Sequence, residues 1–191
     1  MIAEIEDKEI KQIYQTSIIQ QTAYWSEVKR LQGVTSKAFN FKTKMADLYV
    51  DSEDTTYFIG DLLILIQTLD QDHSIAYVPY GPEVEPSVEN QGYFLEQLSE
   101  SLRSCLPKNC IMIRYDLSWE SHWAKEDDCY DINGNWLGVP DKKIQEIRFN
   151  FNTTNWNLRK SNTDILPSNT IFMDLKKDDD TLLAAMKTKT R

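Results

Sequence analysis

Residues 61–67 read D-L-L-I-L-I-Q, five consecutive apolar side chains between polar ends. The run is far too short to span a bilayer, which takes roughly 20 apolar residues. It has the pattern of a central strand, in which alternate side chains enter opposite apolar layers. A chain built around such a strand needs further strands beside it and helices over it.

The rest of the sequence supplies both. Asp7–Tyr14 reads as a short helix. Thr22–Leu31 reads as a second, with Trp25, Val28, Lys29 and Gln32 at helical spacing and Gly33 to end it. Ser36–Val50 alternates loosely and suggests a strand, and Ser74–Val78 is another, leading into the turn sequence P-Y-G-P-E. Glu89–Cys105 sets Tyr93, Phe94, Leu95, Leu98 and Leu102 on one broad face, and Pro107 stops it. Cys110–Tyr115 is a strand. Residues 117–140 read mostly as loop with a short helical piece. Residues 141–160 admit either a helix opening at Asp141 or a strand over Ile144–Phe149. Thr170–Leu175 is a short apolar run, and Asp178–Arg191 has acids at its start and Lys187, Lys189 and Arg191 at its end, as a helix dipole favours. The order of elements defines an α/β (α+β) protein.

With 191 residues, 41% apolar and 11% aromatic, the chain has the material for one folded domain with a real core. A formal charge of -9 argues against strong nucleic-acid binding by these residues alone. Two basic patches are still expected, one at Lys187–Arg191 and one formed by Lys142, Lys143, Arg148, Arg159 and Lys160. Cys105, Cys110 and Cys129 form no C-x-x-C pair, the usage of a reduced protein. Acidic Glu4, Glu6 and Asp7 open the chain where a signal peptide would be basic. A cytoplasmic protein without a transmembrane segment is expected.

Chemical motifs are sparse. H-E-x-x-H, Walker A, G-x-S-x-G and G-x-G-x-x-G patterns are all missing, and the six glycines form no phosphate-cradling loop. His122 with Asp127, Asp128 and Cys129 matches no metal-ligand spacing, so neither metal nor cofactor is expected. Lys29 follows Trp25 by one helical turn, on the same face. Asp116 follows a strand, at the carboxyl end where open sheets bind ligands. Taken alone, a solvated lysine and a capping aspartate explain both. Trp119, Trp123, Tyr130, Trp136 and Trp156 either pack or offer faces to sugar rings.

Several pieces in order resemble the FemABX family of peptidoglycan interpeptide-bridge aminoacyltransferases. They are Q-T-A-Y-W-S-E-V-K at 21–29, Y-V-P-Y-G-P-E-V at 77–84, I-R-Y-D at 113–116, L-P-S-N-T-I-F-M-D-L at 166–175 and L-L-A-A-M-K-T-K-T-R at 182–191. The resemblance implies a GNAT-like lobe, a mixed and largely antiparallel sheet flanked by helices, one of two lobes in the family fold. Residues 1–175 would be the first lobe and 176–191 a helix leading toward a second. The implied activity is transfer of amino acids from aminoacyl-tRNA to the peptide of a lipid-linked or UDP-linked peptidoglycan precursor. Residues 1–191 are then expected to be inactive alone, since half of the cleft would be missing. Lys29 matches the lysine of the family's W-x-x-x-K helix, which contacts precursor phosphate, and Asp116 matches an acid beside the substrate cleft. The family often has Pro where Leu117 stands, and Lys-Gly-Pro where Tyr80-Gly81-Pro82 stands. The alternative is a non-catalytic module that holds a glycan or a protein through the tryptophan-rich 119–156 region.

Overall fold

The computed structural model describes residues 2–13, 16–123, 129–167 and 176–186. Five strands form one sheet in the order β1-β2-β3-β4-β5: β1 Ile2–Lys8, β2 Thr35–Lys44, β3 Tyr57–Thr68, β4 Ser74–Pro79 and β5 Cys110–Asp116. The first three pairings are antiparallel; β4 and β5 are parallel, joined through helix α3, Val88–Leu102. The other helices are α1 Ala23–Leu31, the single turn α2 Met45–Leu48, α4 Lys142–Asn150 and α5 Asp179–Ala185. The protein is thus mixed α/β, a mostly antiparallel sheet flanked by helices.

The apolar run at 62–66 lies on β3, the middle strand, and its side chains divide between two layers. Leu62 and Ile64 join Phe39, Phe41, Ala76 and Val78 under α3, whose Phe94, Leu98 and Leu102 close that layer. Leu63 and Leu65 point the other way, to a smaller cluster with Ala38, Tyr77 and Ile13 that Trp25 of α1 helps to cover. Both faces are buried, which is why the strand carries no polar alternation.

Two expectations are corrected. The helix expected over Asp7–Tyr14 is a strand end, β1, followed by one 3-10 turn at Ile10–Gln12. A register shift between Ile2 and Glu4 lets Ile2 and Ile5, three residues apart, both pack on the α3 layer. The strand expected over Ser36–Val50 ends at Lys44, and Met45–Leu48 turns so that Leu48 is fully buried. There the backbone of Leu48 and Asp47 accepts from Asn90 Nδ2 at 3.2 Å. Of the two readings for 141–160, the helix forms. Thr22 caps α1, its hydroxyl accepting from Trp25 N at 3.3 Å. Asp178 caps α5 through Thr181 N at 2.9 Å. The strand expected at Thr170–Leu175, the boundary at 175/176 and the basic residues Lys187, Lys189 and Arg191 lie outside the described residues.

One close approach fixes the end of α4 against α3. A Cβ on Gly92 of α3 would stand 1.5 Å from the Phe151 carbonyl oxygen, so only glycine lets the end of α4 sit there. One turn on, the fully buried Glu96 accepts from Thr154 N and Asn155 N, both at 2.8 Å, one on each carboxylate oxygen.

Candidate functional site at the carboxyl ends of β4 and β5

The two parallel strands end side by side, with Tyr77 opposite Arg114 and Pro79 opposite Asp116. Tyr77 Oη donates to Asp116 Oδ2 at 2.9 Å, and Leu166 N donates to the same oxygen at 3.1 Å. Arg114 Nε reaches Asp116 Oδ1 at 3.4 Å, while its terminal nitrogens bond Thr163. Tyr80 Oη donates to Pro167 O at 3.4 Å. Residues 163–167 are therefore strapped across the strand ends. Burial first, and then the bond to Asp116, push the Tyr77 phenol well above its ordinary range. Asp116 is well placed and already engaged by its own chain.

Gln21 is the member that sequence reasoning missed. It is buried, and its carboxamide bridges β3 and β4: Nε2 donates to Pro79 O at 2.7 Å and to Leu63 O at 3.4 Å, and Oε1 accepts from Leu63 N at 2.9 Å. The β3–β4 pairing stops at Leu65 and Tyr77, so the side chain supplies backbone-like bonds just past that point. Gly81 packs against it; a Cβ there would meet the Gln21 amide at 2.7 Å. Its place beside Thr22 in the 21–29 motif was the available signal.

Lys29 sits over Trp25, with Nζ 4.9 Å from the ring and 3.0 Å from Gln32 Oε1. Trp25 packs on the same cluster as Tyr77, so Lys29 and Asp116 both attach to that face of the sheet. They share no hydrogen bond or ion pair. The Trp25 indole nitrogen is buried without a partner.

The tryptophans do not form one platform. Trp119 is core, its Nε1 donating to Val84 O at 3.1 Å. Trp123 packs 5.7 Å from Phe151, and Trp136 is 63% exposed in a small turn bridged to Tyr130. A cleft of about 1570 Å³ runs along β5 from Arg114 and Asp116 to His122 and Trp123. Among the described residues, no group of three or more His, Cys, Asp or Glu side chains is arranged to hold a metal ion. Asp127 and Asp128 are outside them. Nor is any described helix long and apolar enough to cross a membrane.

Comparison with family models, with curated proteins and with solved structures gave no match.

Proposed function

We propose that residues 1–191 are the precursor-binding first lobe of an aminoacyltransferase of the FemABX kind, GNAT-like in fold. The observation that carries the reading is where four separate motif pieces meet. Gln21 of the first bonds Pro79 of the second; Tyr77 of the second bonds Asp116 of the third. Leu166 and Pro167 of the fourth bond Asp116 and Tyr80. The bonded residues stand 39 to 87 positions apart, and their convergence at one end of the sheet supports the reading. The mixed sheet, with its parallel β4–α3–β5 unit, is the class of fold the reading requires.

In this reading, an amine of the precursor peptide attacks the ester of an aminoacyl-tRNA. The ester is already activated, so positioning and removal of one proton are the protein's main contributions. Lys29, on its Trp25 support, holds a phosphate of a UDP-linked or lipid-linked precursor. Asp116 orders the strand ends beside the acceptor and acts as a positioning residue, because its carboxylate already receives three donors. The test is calorimetric titration with a UDP-linked muropeptide, wild type against Lys29→Ala. A loss of about tenfold or more in affinity is expected from removing one charge-assisted contact. Equal affinity would take Lys29 out of the site.

The aromatic-platform alternative loses Trp119, which is buried in the core.

A further inference from the structure

Of the five cations that the sequence gathers between 142 and 160, the fold neutralises only two. Lys142 pairs with Glu146 at 3.9 Å, and Lys143 pairs with Glu89 of α3. Arg148, Arg159 and Lys160 have no carboxylate partner among the described residues. This is notable in a chain of net charge -9, where acids outnumber bases by nine.

The three are also organised. Arg148 Nε donates to His122 O at 2.9 Å, which fixes the guanidinium and leaves both terminal nitrogens without a partner among the described residues. Its Cζ lies 5.7 Å from the Trp123 ring, and Lys160 Nζ lies 4.9 Å from the same ring. Cation–π attraction thus holds two positive groups at one indole. Phe151 packs 6.2 Å from His122 and completes an aromatic floor. His122, Trp123, Phe151, Arg159 and Lys160 all line the cleft along β5. The acids on that cleft do not compete: Glu100 and Asp116 are held by Arg103 and Arg114. Glu120 and Asp164 make no ion pair with the three cations. Burial first, then Arg148, hold the His122 pKa below its ordinary value, so near neutral pH it adds a hydrogen-bonding group rather than a fourth charge.

We infer that the Trp123–Lys160 end of the cleft binds the phosphate groups of a small-molecule ligand through Lys160 and Arg159, with Arg148 bracing the Trp123 ring from outside the lining. Phosphate is favoured over carboxylate by charge and shape. The two uncompensated cations that line it, Arg159 and Lys160, match an anion of charge two, and a planar guanidinium fork beside a point-like ammonium suits tetrahedral oxygens. The site belongs to the α3–α4 side of the sheet, away from Trp25 and Lys29, and it does not depend on the transferase reading.

The test is calorimetric titration of the whole chain with inorganic pyrophosphate at low ionic strength, with glutamate in a parallel arm. Lys160→Ala and Arg159→Ala alter exposed side chains and leave the fold intact; Lys142→Ala, whose ammonium is already paired with Glu146, is the control. One saturable site is expected, weakened about tenfold or more by each of the first two substitutions and unchanged by the third. Added salt should weaken it further. The inference is overturned if pyrophosphate gives no saturable binding, if both variants bind as wild type does, or if glutamate binds as tightly as pyrophosphate.

Discussion

Replacing Glu96 should loosen the whole segment that follows α4, and the size of the effect can be worked from its geometry. The carboxylate is fully buried, and each oxygen accepts one backbone N–H at 2.8 Å, from Thr154 and from Asn155. A hydrogen bond to a charged group contributes about 1.5–3 kcal/mol, so the pair is worth about 3–6 kcal/mol before offsets. Two offsets apply. Burying the carboxylate itself costs several kcal/mol. Thr154 and Asn155 are exposed residues, so water can serve their N–H groups once the acid is gone. We therefore expect Glu96→Ala to lower stability by about 2–3 kcal/mol. Glu96→Gln should be no gentler, although it keeps the shape. Its amide has one accepting oxygen, and its NH₂ would face an N–H donor. Urea denaturation measures both, and limited proteolysis should show earlier cutting between 150 and 165. Gly92→Ala supplies a cross-check, since its Cβ cannot coexist with the Phe151 carbonyl 1.5 Å away. If both residues act by docking the same segment, the double variant costs little more than the worse single one. Wild-type stability for both Glu96 variants, or strict additivity with Gly92→Ala, would refute the reasoning.

Gln21→Leu keeps roughly the volume but strands the Leu63 N–H and the Pro79 carbonyl, so a loss of about 2–4 kcal/mol is expected. Hydrogen exchange at the Leu63 amide should accelerate, and an unchanged rate would show that the bridge is dispensable. Burial pushes both the Tyr77 and Tyr115 phenols up, with the Ser99 hydroxyl partly opposing it at Tyr115. The folded state therefore holds these protons more tightly than the unfolded chain, where tyrosine titrates near ~10. Their contribution is complete below about pH 10 and is lost as pH rises above it. Urea midpoints should fall steeply across that alkaline window and less steeply in Tyr115→Phe; identical slopes would contradict the assignment.

Short-range pattern made much of this protein legible. The five apolar residues of β3, the capped helix after Thr22 and the broad face of α3 each follow from spacing within a dozen residues, and each formed where its pattern placed it, except that Tyr93 of α3 is exposed. Lys29 and Asp116 were locatable for the same reason: one lies a turn beyond Trp25, the other at the end of a strand. Asp7–Tyr14 misled because Ile10 and Ile13 stand three apart, as in a helix, where Asp7 and Lys8 pair with β2 and only one 3-10 turn follows. Nothing local distinguishes the two. Only pairing with β2 decides between them.

The sequence by itself determined the layered α/β architecture, because alternation and helical periodicity are properties of neighbouring residues. The tertiary structure alone decided which polar groups matter. Gln21 bonds residues 42 and 58 positions away, Glu96 bonds residues 58 and 59 away, and Tyr77 finds Asp116 at 39. It also separated paired Lys142 and Lys143 from Arg148, Arg159 and Lys160, which look alike in the sequence but meet no carboxylate among the described residues. A buried polar or charged group is defined by what the chain brings to it from far away. The free energy of satisfying it is long-range, and no window of local sequence contains it.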